Sequence, residues 1–413
     1  MNKKIEVLLK KYAKLAIQTG VNIQKGQRLL VNCPVELAYF AREISKVAYE
    51  TGAKEVKVEY SDEQLTLDNY LFMSEDDLKE YPQWKKLKQE YLIDKNYAFL
   101  SIHAATPGLL KDIDPNKLQS VAVALSKHNK KLQEYIMGNN TQWSIVSLPT
   151  EAWALKVFPE LKSQEAMEKL LEAILHTARV DEKTDPIENW SQHNNEMTAH
   201  NKILNDFNFE YLTFKNKLGT DLKVYLADNH NWAGGCEKTT KGVVFNPNIP
   251  TEENFCMPYK TKVYGKVVAT KPLNYQGRLI EDFYLEFDEG KVIKYHAAKE
   301  LQALKNLIEF DEGSCYLGEV ALISYDSPIN DTGILFYNTL FDENASCHLA
   351  LGNAYPMNIK GGTTMAEDDL KKLGYNSSMA HVDFMFGSRD MVIKGYDHNG
   401  KEVVIFNDGN FVI

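Results

Sequence analysis

Short, almost uninterrupted apolar runs alternate with helical periodicity through roughly the first 150 residues, and this alternation constrains the fold more than any other feature of the chain. Residues 28–33 (RLLVNC), 97–102 (YAFLSI) and 144–148 (SIVSL) read as buried strands, and 54–60 (KEVKVEY) as an alternating one. Pro34 opens a helical run over 35–51 that Gly52 ends, and 114–136 is helical again. Strands that are apolar on both faces need helices above and below them. An amino-terminal α/β domain with a mostly parallel sheet flanked by helices is therefore predicted. It is preceded by an amphipathic helix in which Ile5, Leu8, Leu9, Tyr12, Leu15 and Ala16 recur at helical steps.

Residues 160–205 carry a helical pattern throughout. The pattern then changes to strands and hairpins at 209–216, 221–226, 261–269, 279–287 (with a turn at 288–290), 319–324, 380–387 and 402–406, interrupted by one helix over 297–309. This predicts a carboxy-terminal α+β domain with a mixed sheet. A chain of 413 residues exceeds what one hydrophobic core organises, so two domains are expected, residues 1–200 and 201–413.

Lys and Arg number 47 against 57 Asp and Glu, a net charge of −10 that argues against nucleic acid as a partner. No run of about 18 apolar residues is present to span a membrane. The basic start of the chain is interrupted by Lys10 and Lys11 before a signal-peptide core could form, so it is read as a helix. The five cysteines are scattered and form no CxxC pair, which suits reduced thiols and a cytoplasmic location.

Phosphate-binding glycine loops, a GxSxG elbow and HExxH are all absent from the sequence, so any chemistry must come from dispersed side chains. Four segments of the second half supply candidates. In AHVDFMF, His381 and Asp383 occupy a predicted strand and share a face, with Cα atoms about 7 Å apart. A metal would partner both; a buried His–Asp hydrogen bond is the competing reading. In PTEENF, Glu252 and Glu253 follow a proline, where a solvated acidic turn is the alternative. In GEVALI, Glu319 starts an otherwise apolar strand and needs a cation beside it. In FDENASCHLALG, an acidic cluster containing Glu343 runs into His348. Carboxylates mixed with two imidazoles suit a pair of divalent ions better than a thiolate-rich structural zinc site.

The order PTEE, LGEVAL, FDENASCHLALG and AHVDFMFGS, together with GTDLKV at 219–224, NWAGG at 231–235 and KGGTT at 360–364, resembles the thermophilic-type dinuclear metallo-aminopeptidases, the family of aminopeptidase T and aminopeptidase S. The resemblance implies an exopeptidase that removes N-terminal residues from peptides with a free N-terminus. It further implies two divalent ions (Zn, Co, Mn or Mg) in the carboxy-terminal domain, and a homodimer whose amino-terminal domain restricts access. Carried over by position, the metal ligands fall on Glu253, Glu319, His348, His381 and Asp383, and the active-site tyrosine on Tyr355. Glu343 lies in the matching FDEN motif as either a ligand or a base, and a base that carries the water's proton to the leaving amine is either Glu343 or Glu252. Glu319, with an oxygen for each ion, is the choice for a bridge, and the Tyr355 hydroxyl for a donor to the developing oxyanion. Rival readings are another dinuclear amidohydrolase, such as a carboxypeptidase or dipeptidase, and a non-catalytic metal- or peptide-binding protein.

Overall fold

The computed structural model describes residues 3–413. The chain divides into two compact units: the first runs to His193 and takes back Cys236–Pro250, and the second comprises Asn194–Gly235 and Thr251–Ile413.

In the first unit, strands β1 (Arg28–Pro34), β2 (Glu55–Ser61), β3 (Tyr97–His103) and β4 (Trp143–Ser147) form a parallel sheet in the order β2-β1-β3-β4. The apolar runs of β1 and β3 are buried, as strands covered on both faces must be. The helix Ala38–Thr51 follows β1 and ends where the Gly52 N–H reaches the Ala48 and Tyr49 carbonyls. The first helix, Lys3–Leu15, buries Leu8, Leu9, Tyr12 and Leu15. The segment Cys236–Pro250 joins this unit through main-chain bonds such as Ile145 N–H to the Pro247 carbonyl (2.7 Å).

The helical pattern expected throughout 160–205 is divided in the structure into Ser163–Thr177 and Pro186–Phe207. Between them Asp181 accepts from the Lys183 and Thr184 amides, and Lys11 Nζ donates to the 181, 182 and 184 carbonyls. Pro186 disfavours a helical Asp185, whose carboxylate instead accepts from the Ile187 amide. The second difference lies at 297–309, where the helix begins only at Leu301, because Lys291–Lys299 pairs with Arg278–Asp288 as the second arm of a hairpin. Pairing of Ala297 with Phe283 overrides the helical preference of its local sequence.

The second unit contains a large antiparallel sheet and a smaller four-stranded one. The smaller sheet carries the sequence candidates. Its strands are β5 (Asn254–Cys256), β6 (Leu317–Leu322), β7 (His348–Gly352) and β8 (His381–Met385), all antiparallel in the order β8-β7-β6-β5. One face sends Cys256, Val320, Leu322, Leu349, Leu351 and Phe384 into a core shared with Phe214, Val263, Phe283 and Leu304 of the large sheet and its helix. Because side chains alternate with period two, the intervening residues form the opposite face. No helix among the described residues is long and apolar enough to cross a membrane.

Candidate metal centre

Register brings the candidates together. Ala350 of β7 stands between Glu319 of β6 and Asp383 of β8, with His348 opposite Ala321 and His381 opposite Gly352. Alanine and glycine at the intervening positions leave room above the sheet for two carboxylates and two imidazoles to converge. A bulge between Leu317 and Glu319 makes this possible: Leu317 faces the core and, one extra residue later, Glu319 faces the site. The extra residue is Gly318, where a Cβ would come within 2.3 Å of the Asn353 carbonyl oxygen.

His348 Nε2 lies 3.3 Å from Glu319 Oε1, 3.4 Å from Glu253 Oε2 and 3.9 Å from Asp383 Oδ1. His381 Nε2 lies 3.4 Å from Asp383 Oδ1 and 3.7 Å from the other Glu319 oxygen, Oε2. One carboxylate thus presents a separate oxygen to each imidazole. Both rings are oriented through their other nitrogen. His348 Nδ1 donates to the Glu343 carbonyl (2.8 Å) and His381 Nδ1 to the Asn353 carbonyl (2.7 Å), and a carbonyl can only accept. Each Nε2 is therefore the end left to face the carboxylates, the arrangement a metal-ligating histidine requires.

Three observations fit a cation here. Ligand atoms about 2.0–2.1 Å from a tetrahedral ion stand about 3.3 Å apart, close to the shorter of these separations. Asp383 Oδ1 is buried without a hydrogen-bond partner among the described residues. One oxygen each of Glu253 and Glu319 and a nitrogen of His348 lie within 4.8 Å of one another. Four carboxylates meet at this place, and two imidazoles cannot neutralise them even when fully protonated.

The electrostatics express that excess. Burial, reinforced by Glu319, pushes the Glu253 carboxyl up to about 8. Burial together with Asp383, Glu253 and Glu319 raises Glu343 well above the usual carboxylate range. Burial pulls both imidazoles down, but the carboxylates outweigh it and hold His348 at about 9 and His381 at about 10. Asp383 is disfavoured by burial, yet the adjacent His381 keeps it below its ordinary value. The Tyr355 ring packs 4.8 Å from the His381 ring and meets Phe255 edge to face at 6.2 Å. Burial and the four carboxylates raise its phenol far above its ordinary value.

Glu253 lies just before β5 and is held from beneath by Gly234, where a Cβ would sit 1.9 Å from the Glu253 carbonyl oxygen. Asn254 anchors the same segment to the helix Pro186–Phe207 through the Met197 carbonyl and Asn201. Glu253, Glu319, Glu343, His348, Tyr355, His381 and Asp383 are thus found in one cluster of the second unit, while Glu252 is placed beside it by its main-chain amide. The main-chain carbonyls of Glu343 and Asn353, which orient the imidazoles, were missed, because a carbonyl acceptor carries no residue-type signal.

The profile of the family described as thermophilic metalloprotease (M29) matches residues 5–411. Aminopeptidase 2 of Geobacillus stearothermophilus is 45% identical over 403 residues, covering 98% of this chain and 97% of that protein. Aminopeptidase AmpS of Bacillus subtilis is 43% identical over 405 residues, covering 98% of each. Among solved structures, wild-type AmpT from Thermus thermophilus superimposes with a TM-score of 0.92 at 36% identity, over 99% of this chain and 100% of that one. A 2,5-dihydroxypyridine dioxygenase from Pseudomonas putida KT2440, at 12% identity and a TM-score of 0.54, shares the fold alone.

Proposed function

This chain belongs to the thermophilic metalloprotease (M29) family and is a metal-dependent aminopeptidase, and from that premise we propose a division of labour among the residues of its second unit. Two divalent ions would be held there by Glu253, Glu319, His348, His381 and Asp383. Of these, Glu319 would be shared, with His348 and Glu253 on the side of one of its oxygens and His381 and Asp383 on the side of the other. The observation that carries this reading is the single Glu319 carboxylate with one oxygen turned to each imidazole. When bound, such ions polarise a carbonyl and make water acidic enough to react near neutral pH. The mixed oxygen and nitrogen donors admit Zn, Co, Mn or Mg.

The chain's own groups supply the rest. Glu343, whose carboxyl is raised by its buried, acidic surroundings, takes a proton from the attacking water and returns it to the leaving amine. Tyr355, a neutral phenol beside His381, donates to the carbonyl oxygen as negative charge develops on it. A carboxylate oxygen not taken up by an ion would hold the substrate's free α-amine, which would account for selection of chain ends. Water adds across the first peptide bond, releasing one amino acid and a shortened peptide.

The cluster is built from described residues of the second unit, and we assign the first unit to restricting access and to pairing in a homodimer. Five free cysteines favour a reducing, cytoplasmic setting. The test is metal analysis with hydrolysis assays before and after chelation, on one peptide in three forms: free, N-acetylated and C-amidated. Cleavage of the free and C-amidated forms only, lost on chelation and restored by added ion, is expected. Equal cleavage of the N-acetylated form, or activity indifferent to chelation, would overturn the proposal.

A further inference from the structure

Glu343 poses a mechanical problem. Its carboxyl is buried among Asp383, Glu253 and Glu319, and these carboxylates can offer it no hydrogen-bond donor. Its neighbour Asn344 is fully buried, and Asn344 Nδ2 contacts Glu343 Oε1 at 3.4 Å while also donating to the Leu340 carbonyl at 3.1 Å. Among the described residues, this amide is the one hydrogen-bond donor that reaches the Glu343 carboxylate. The other end of the same side chain, Oδ1, accepts from the Glu252 amide at 2.8 Å, which fixes the main chain immediately before Glu253.

We infer that Asn344 is a positioning residue, a buried amide clamp that sets the Glu343 carboxylate and the Glu253 segment at a fixed relation to each other. The inference rests on the role given to Glu343 above. An asparagine is needed because one planar group must offer a donor to a carboxylate on one side and an acceptor to an amide on the other. Aspartate of the same shape keeps the acceptor and lacks the donor. The short helix Thr339–Asp342 supports the clamp from the Leu340 side, and Ser327 Oγ contacts the Asn344 carbonyl at 3.5 Å. Glu343 is thus held by the adjacent amide, which is itself fixed by the Leu340 carbonyl and by the main chain of Glu252, distant in sequence.

The experiment is a double-mutant cycle on the metal-loaded full chain, with Asn344→Asp, Glu343→Gln and the pair. A hydrogen bond to a charged group is commonly worth about a 10- to 100-fold effect. Asn344→Asp is expected to lower kcat by about that factor, with KM within about twofold and metal content unchanged, and to add no loss on the Glu343→Gln background. A general loosening of the fold would instead move KM, metal content and melting temperature together. A kcat for Asn344→Asp within about threefold of the parent overturns the inference, as does the same fractional loss on both backgrounds. If Glu343→Gln itself is fully active, the role of Glu343 fails and the clamp fails with it. If Glu343→Gln is inactive while Asn344→Asp is normal, only the clamp fails. Should Asn344→Asp lose its cooperative melt, Asn344→Ser carries the same cycle.

Discussion

Replacing Glu319 with Gln tests the bridge directly, because the side chain keeps its shape and loses one charge. The Glu319 oxygens stand 3.3 and 3.7 Å from His348 and His381 Nε2, and the side chain is only 6% exposed, so solvent does little to screen it. One unit charge at about 4 Å in an effective dielectric near 20 is worth about 4 kcal/mol, or roughly a thousandfold in binding constant for each ion. An amide costs less to bury than a carboxylate, which offsets part of that loss and leaves a weakening of about 10- to 1000-fold per ion. The distinguishing expectation is that both ions weaken together, since both imidazoles face this one group. Glu253→Gln, whose carboxylate approaches His348 alone of the two imidazoles, should weaken one ion and leave the other close to parental affinity. Dialysis against metal buffers of graded free concentration, followed by elemental analysis, reads both variants, and thermal melts show whether the fold is retained. If Glu319→Gln kept both ions while Glu253→Gln lost them, the bridge would have been placed on the wrong carboxylate.

His381→Ala and Asp383→Ala should each lower metal content and abolish turnover with the fold retained; undiminished metal with full activity in either variant would exclude these residues from the centre. Tyr355→Phe should cut kcat and kcat/KM together by about 10²–10³ with metal content unchanged, because a donor to a developing oxyanion acts mainly in the transition state. A kcat within about threefold of the parent, where chemistry limits the rate, would leave Tyr355 as packing against His381 and Phe255. In the metal-free protein the imidazoles of His348 and His381, raised to about 9 and about 10 in the fold, contribute stability that is complete below their unfolded value of about 6.5 and is lost as pH rises through the folded values. The Glu253 carboxyl, raised to about 8, acts with the same sign from about 4.5 upward. Chelated protein should therefore melt at progressively lower temperature from about pH 6.5 to 10, and added metal should restore more stability at the upper end; a flat or rising melting temperature of the chelated protein across that interval would contradict this.

The residues that converge in the second unit were legible because their signals are local. His381 and Asp383 share a face by the period of a strand, Glu319 is conspicuous as one carboxylate in an apolar run, and the acidic cluster before His348 is contiguous. The alternation of buried strands with helices in the first part of the chain was legible for the same reason, since burial on both faces leaves a continuous apolar run. What the sequence could not contain was register. Only pairing between β6, β7 and β8 sets Glu319, Ala350 and Asp383 in one row, and that pairing depends on a bulge at Gly318 and on a core contributed by strands far away in the chain. The turn that divides 160–205 and the strand at 291–299 escaped local reading because Lys11 and the strand Arg278–Asp288, remote in sequence, stabilise conformations that local preference does not select. The groups that orient the site are equally non-local. The Asn353 and Glu343 carbonyls belong to the main chain common to all residues, and the two-sided role of Asn344 exists only once Glu252 has been brought beside it. Composition and periodicity are properties of neighbours along the chain, whereas carboxylates and imidazoles 3.3–3.9 Å apart are neighbours in space. The sequence determined which side chains were available, and the tertiary fold alone decided which atoms of them face one another.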